Sequence, residues 1–204
     1  MSVIHEYTEQ DFRTTRWSGG TTTELLLLPP GGDYGRRCFT ARLSSAVVET
    51  EESLFTSLPG VRRWITPLEH PLVLRHEAGP EIRLNPYEIY AFDGGGETRS
   101  RGTGRDFNLM LQGTAQGSVA ALHAGEEQRS TAEGPSLVWA FYAGSGGRLL
   151  VDRETHAVGY MRLIVAELAA GEGITLAALP SRDGTPFLCG MIARSGDHVV
   201  EERA

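Results

Sequence analysis

The sequence predicts an all-β fold, a sandwich or barrel of short strands, on three observations. Thirteen segments of strand length are rich in β-branched or aromatic residues or alternate apolar with polar positions. Gly, Pro and Asp turn signals separate them at strand-length intervals, and almost no stretch carries the 3.6-residue period of an amphipathic helix.

Residues 22–28 are a candidate strand because threonines and leucines run from the Gly19-Gly20 turn to Pro29-Pro30, which cannot continue a ladder. Residues 39–46 alternate, with Arg42, Ser44 and Ala46 on one face and Ala41, Leu43 and Ser45 on the other. Residues 63–67 follow Pro59-Gly60, 72–75 form a β-branched and leucine-rich run, 81–84 follow Gly79-Pro80, and 88–92 lie between Asn85-Pro86 and the Gly94-Gly95-Gly96 run. Residues 106–111 alternate again, placing Asp106 and Asn108 on one face and Phe107 and Leu109 on the other. Segments 118–121, 137–143, 148–151, 156–160, 162–166 and 174–179 complete the set. Helix or turn is expected only around residues 5–13, with Thr8 as N-cap and Glu9 and Asp11 in the first turn.

A change of composition at 113–117 divides the chain into residues 1–113, which hold the distinctive residues, and 114–204, both expected to pack closely as one unit. The halves share a pattern of short strands without a sequence repeat that proves duplication. Residues 126–133 and 201–204 are expected to be exposed.

The formal net charge of -7 argues against nucleic acid or anionic lipid as a partner, since both select clustered basic residues. No apolar run reaches the roughly 20 residues of a membrane span. Residues 1–16 show no apolar signal-peptide core, so the cytoplasm is the expected location. Cys38 and Cys189 suit small buried hydrophobes better than a disulfide framework or metal motif. All 19 basic residues are arginine. Without lysine, Schiff-base chemistry, a pyridoxal-phosphate anchor and a Walker A loop are excluded, and an anion site must use arginine forks, backbone amides or hydroxyls.

Four ordered segments resemble the HutD/Ves family: Trp17-Ser18-Gly19-Gly20-Thr21-Thr22-Thr23-Glu24; Phe39-Thr40-Ala41-Arg42-Leu43-Ser44-Ser45-Ala46; Phe55-Thr56-Ser57-Leu58-Pro59-Gly60-Val61-Arg62-Arg63; and Pro86-Tyr87-Glu88-Ile89-Tyr90-Ala91-Phe92-Asp93-Gly94 with Asp106-Phe107-Asn108-Leu109-Met110. They span about half the chain. The first departs from the family's common Asn-Gly-Gly-Gly version. The resemblance implies a cupin-like double β-barrel (bicupin) with little helix, and an accessory or regulatory protein of histidine utilisation that binds a small anionic metabolite such as urocanate or formylglutamate. Cupin relatives often dimerise through edge strands, which makes a homodimer an open expectation.

Cupin enzymes hold metal with clustered histidines, whereas His5, His70, His76, His123, His156 and His198 are scattered here, so neither metal nor cofactor is expected. The candidate ligand-binding residues are Arg63, Arg42, Asn108, Asp106, Trp17, Ser44 and Phe92. A mid-strand Arg42 suits either a surface position or an ion pair with Asp106 or Asp93, or else a bidentate clamp on a ligand carboxylate. Arg63 opens a strand after a Pro-Gly turn, where a barrel rim directs a guanidinium into the mouth, while Arg62 faces solvent. Asp106 and Asn108 suit either a hydrogen-bonded corner or a pair in which Asn108 reads the ligand and Asp106 orients an arginine. Trp17 with Gly19-Gly20 offers either a barrel cap or a wall beside exposed amides. No catalytic residue is assigned. The chain lacks a GxSxG elbow. A binding protein is the leading expectation, with a metal-independent enzyme using Asp106 and Arg63, or a protein-interaction module, as alternatives.

Overall fold

A computed structural model describes residues 3–193, and among them it contains strands and turns and no helix. The chain runs through β1 (Val3–Tyr7), β2 (Arg13–Trp17), β3 (Gly20–Leu28), β4 (Ala41–Val48), β5 (Glu52–Leu54), β6 (Val61–Pro67), β7 (Leu72–His76), β8 (Glu81–Leu84), β9 (Tyr90–Asp93), β10 (Thr98–Arg101) and β11 (Gly104–Gln112). It continues through β12 (Gln116–Gly117), β13 (Ala120–Leu122), β14 (Glu127–Thr131), β15 (Ser136–Tyr142), β16 (Gly147–Val151), β17 (Glu154–Val158), β18 (Arg162–Leu168), β19 (Gly173–Leu179) and β20 (Phe187–Ala193).

These strands make four antiparallel sheets that are not closed into barrels. The orders are β2-β3-β4-β11-β6-β9, β5-β10-β7-β8, β1-β18-β15-β20-β12 with β13 also on β20, and β14-β19-β16-β17. Buried side chains show how they stack. Ile65 and Phe92 meet Leu72, Leu74 and Leu84 between the first two sheets. Val138, Ala140 and Ile164 meet Leu149, Leu176 and Ala178 between the last two. Leu43, Phe107 and Leu109 meet Trp139, Phe141, Leu163 and Leu188 where the two large sheets face each other. The result is four layers, small sheet, large sheet, large sheet, small sheet.

Each large sheet therefore has two covered faces. That explains why every residue of Ser136–Tyr142 is buried, a continuous apolar run rather than an alternating one. β4 and β11 are buried on both faces too, yet only one face is apolar. Ala41, Leu43, Phe107, Leu109 and Leu111 turn to the inter-sheet core, leaving Arg42, Ser44, Asp106 and Asn108 inside the N-terminal sheet pair.

Several expectations change. Of the helix or turn expected around 5–13, the turn is what forms, and it is shorter: His5 lies in β1 and Arg13 in β2, and between them Thr8 N–H and Oγ1 donate to Asp11 Oδ2 at 2.8 and 3.0 Å. β1 pairs along its whole length with β18, so the first residues join the C-terminal sheets rather than those of the first half. Cys189 is buried but Cys38 is exposed, in the loop between β3 and β4. β2, β5, β10, β14 and β20 lie where no strand was expected, and of residues 118–121 only Ala120 and Ala121 are in a strand, β13, with β12 just before them at Gln116–Gly117. His198 and residues 201–204 lie outside the described residues. Among the described residues no helix is long and apolar enough to cross a membrane.

Candidate functional site

Register places the polar residues. Met110 on β11 stands directly opposite Arg42 on β4 and Arg63 on β6; Asn108 stands opposite Ser44 and Ile65, and Asp106 opposite Ala46 and Pro67. The two arginines thus flank one methionine, roughly 10 Å apart at their Cα atoms by strand spacing. They line a cavity of about 280 Å³ together with Ser44, Asp106, Asn108, Met110, Trp17, Tyr34 and Phe55.

Arg42 is 5% exposed. Its Nε donates to Glu24 Oε2 at 2.9 Å, its Nη1 donates to Ser44 Oγ at 3.0 Å, and its guanidinium lies 4.1 Å from the Tyr34 ring centre. The ion pair expected with Asp106 or Asp93 is made with Glu24 instead, because Glu24 is delivered by β3, the neighbour of β4, opposite Ser44.

Arg63 is equally buried, with a different set of partners. Its guanidinium packs between Phe55 and Phe92 at 4.8 and 5.1 Å from their ring centres, and Nη2 donates to Asn108 Oδ1 at 2.9 Å. Among the described residues no carboxylate forms an ion pair with it, and Nε is buried without a hydrogen-bond partner. Burial lowers its pKa to about 10, against the opposing pull of Tyr34 and Asp106. Arg62, next in sequence, is exposed and lies over Trp64.

Asn108 Nδ2 donates to Asp106 Oδ1 at 2.9 Å, so the amide links guanidinium to carboxylate. Burial raises the Asp106 pKa to about 6, opposed by Arg63, the Ala46 amide, Asn108 and Arg105.

Six of the seven candidate residues line this one cavity: Arg42, Arg63, Asn108, Asp106, Trp17 and Ser44. Phe92 does not; it packs on Arg63 from the core between the sheets. Trp17 forms a wall only because Gly19 lacks a Cβ, which would stand 2.1 Å from the indole. Sequence reasoning missed Glu24, Phe55, Tyr34 and Met110. Thr22 and Glu24 on one face of a strand were a legible signal for the first, whereas Tyr34 sits in a loop that carries no periodicity.

Among the described residues no histidine lines the cavity, and no group of three His, Cys, Asp or Glu could hold a metal ion. The site's residues do not fit the metal centre that the cupin architecture often carries.

Similar architectures occur in solved structures of very different sequence. E. coli YhhW, a bacterial pirin in complex with nickel(II), is 8% identical, with 94% of this chain and 99% of that one aligned at a TM-score of 0.62. Fold and cavity together define a cupin-like all-β protein with an arginine-lined pocket in its N-terminal sheet pair. Within that class the chain belongs to the HutD family, whose profile matches residues 9–181. HutD from Pseudomonas fluorescens SBW25, in a formate condition, is 23% identical over 95% of this chain and 100% of that one, with a TM-score of 0.76. The conserved protein of unknown function PA5104 from Pseudomonas aeruginosa PAO1 is 22% identical over the same shares, with a TM-score of 0.78. No curated protein sequence matches the chain significantly.

Proposed function

We propose that the chain binds a small carboxylate metabolite in the Arg63 cavity and serves as an accessory or regulatory factor in histidine utilisation, with urocanate and formylglutamate as candidate ligands. The observation that carries this reading is Arg63: a buried guanidinium without an ion-pair partner among the described residues, lining a cavity. Buried charges are seldom left unpaired, and a ligand carboxylate would supply the missing partner. The cavity volume of about 280 Å³ falls at the lower edge of ligand pockets, which are roughly 300–1,000 Å³, and suits a metabolite rather than a polymer. The pathway assignment rests on the family.

Thermal-shift titration with urocanate, formylglutamate, formiminoglutamate, glutamate and formate tests the reading. A saturable shift with one of them, lost in Arg63→Ala, supports it. A shift that Arg63→Ala leaves unchanged, or no shift with any, overturns the site.

Asp106 favours a second reading, a metal-independent enzyme. A buried carboxylate with its pKa near 6 sits in the range of a general base, beside a guanidinium able to stabilise developing negative charge. That reading requires turnover of one of the same carboxylates, abolished by Asp106→Asn with affinity retained. Ligand-induced stabilisation without turnover leaves the binding protein.

A further inference from the structure

We propose that a recess beside the Arg63 cavity is a second binding site, one that takes the zwitterionic head of a free α-amino acid. It measures about 320 Å³, and its charged lining is Arg13, Arg42, Glu24 and Asp33. Tyr34, which also lines the Arg63 cavity, lies 4.1 Å from the Arg42 guanidinium, so this stack forms a wall common to both spaces.

Two cations and two carboxylates around one small space make a selective arrangement. A simple anion entering it gains the arginines but meets Glu24 and Asp33; a simple cation meets the reverse. A group that carries both charges on one carbon, as the α-carbon of an amino acid does, satisfies both pairs at once.

The pairing inside the recess leaves room for such a ligand. Arg13 stands directly opposite Glu24 in the β2-β3 ladder, the natural place for a cross-strand ion pair. Glu24 instead accepts from Arg42 Nε at 2.9 Å. The Arg13 side chain makes no ion pair or hydrogen bond with the described residues, and its fork is free to take an α-carboxylate. Asp33 spends Oδ1 on the Arg36 N–H at 2.8 Å, and an α-ammonium between its other oxygen and Glu24 would find acceptors on both sides.

This site does not depend on the carboxylate reading of the neighbouring cavity. Arg63, on which that reading stands, does not line the recess. A filled recess would brace the Tyr34 and Arg42 wall, giving the two sites a physical route to influence each other.

The test is an NMR titration of the full chain with L-glutamine, against N-acetyl-L-glutamine, which lacks the ammonium, and L-glutaminamide, which lacks the carboxylate. The expected result is saturable movement of the Gly32, Asp33 and Gly35 amides with L-glutamine and at least about tenfold weaker binding of both analogues. Arg13→Gln and Asp33→Asn each weaken L-glutamine binding by at least about tenfold, and the asparagine keeps an acceptor for the Arg36 amide, so the loop stays formed. Arg63→Met leaves it within about twofold while abolishing any carboxylate response of the Arg63 cavity, so the two proposals fail separately. Equal binding of either analogue, amide movement confined to other residues, or no effect of both recess variants would overturn the proposal.

Discussion

Arg63 Nη2 donates to Asn108 Oδ1 at 2.9 Å, and this bond decides what Asn108 does next: with its oxygen committed to the guanidinium, the amide turns Nδ2 to Asp106 Oδ1, also at 2.9 Å. One neutral side chain thereby separates a buried cation from a buried anion. Neither charge is neutralised by direct contact. Burial accordingly displaces both toward their neutral forms, Arg63 downward to about 10 and Asp106 upward to about 6.

Removing the guanidinium should separate affinity from stability. In Arg63→Met the side chain keeps apolar packing between Phe55 and Phe92 and loses its charge. Asn108 Oδ1 loses a donor, worth about 1 kcal/mol, while the desolvation of an unpaired charge disappears, so net stability should stay within about 1 kcal/mol of the parent. Carboxylate affinity should fall at least about tenfold, since a charge-assisted pair contributes that much or more. Denaturant unfolding beside a binding titration checks both. A large loss of stability would mean that Arg63 belongs to the scaffold.

Asp106 should leave a signature in the pH dependence of stability. Its folded pKa is near 6 against an ordinary 3.8, so between those values the native state holds a proton that the unfolded chain has released. This contribution is fully present below about pH 4, declines as pH rises through 6, and is flat above. A displacement of about two units corresponds to about 3 kcal/mol. The stability of Asp106→Asn relative to the parent should therefore improve by about that amount from pH 4 to pH 7. A difference curve that is flat over this range would place the carboxyl's titration elsewhere.

Neighbouring glycines should respond differently to the same substitution. A Cβ on Gly19 would meet the far edge of the Trp17 ring, which can swing away, so Gly19→Ala should fold, shift tryptophan emission and weaken ligand binding. A Cβ on Gly20 would stand 1.9 Å from the Val47 carbonyl oxygen, at a φ of 152° that side chains avoid. Backbone cannot swing aside. Gly20→Ala should cost at least about 3 kcal/mol, read by thermal unfolding.

How much of this was written in the sequence depended on how local the determining physics is. The alternation that set Asp106 and Asn108 apart from Phe107 and Leu109 is a property of the strand alone, and the structure turns those pairs to opposite faces. The partner of Arg42 was a different matter. Glu24 reaches it only because β3 lies beside β4 with a register shift between Glu24 and Leu26, and strand order is decided by packing across the sheet. Phe92 was drawn to the site by its neighbours in sequence, yet it points to the core that supports Arg63. β20 stayed hidden because Cys189 and Gly190 interrupt its pattern. Gly190 is there for a tertiary reason, since a Cβ would stand 1.8 Å from the Ser118 carbonyl oxygen.

The other face of β11 supplies the last prediction. Phe107, one residue from Asp106, stacks with Trp139 and Phe141 across the inter-sheet core at 5.4 Å centre to centre in each case. β1 crosses the same boundary to pair with β18. The two halves should consequently unfold in one transition rather than two, because neither large sheet can uncover this face without exposing the aromatic cluster. Phe107→Ala should cost about 3–5 kcal/mol by opening a cavity there. Since Asp106 and Asn108 hang from the same strand, it should also loosen the bond to Arg63 and weaken carboxylate binding without altering any residue of the cavity. Calorimetry of the parent and the variant tests the cooperativity: one peak that moves as a whole fits this packing, and two separable peaks would show that the halves are held together more weakly than the shared core requires.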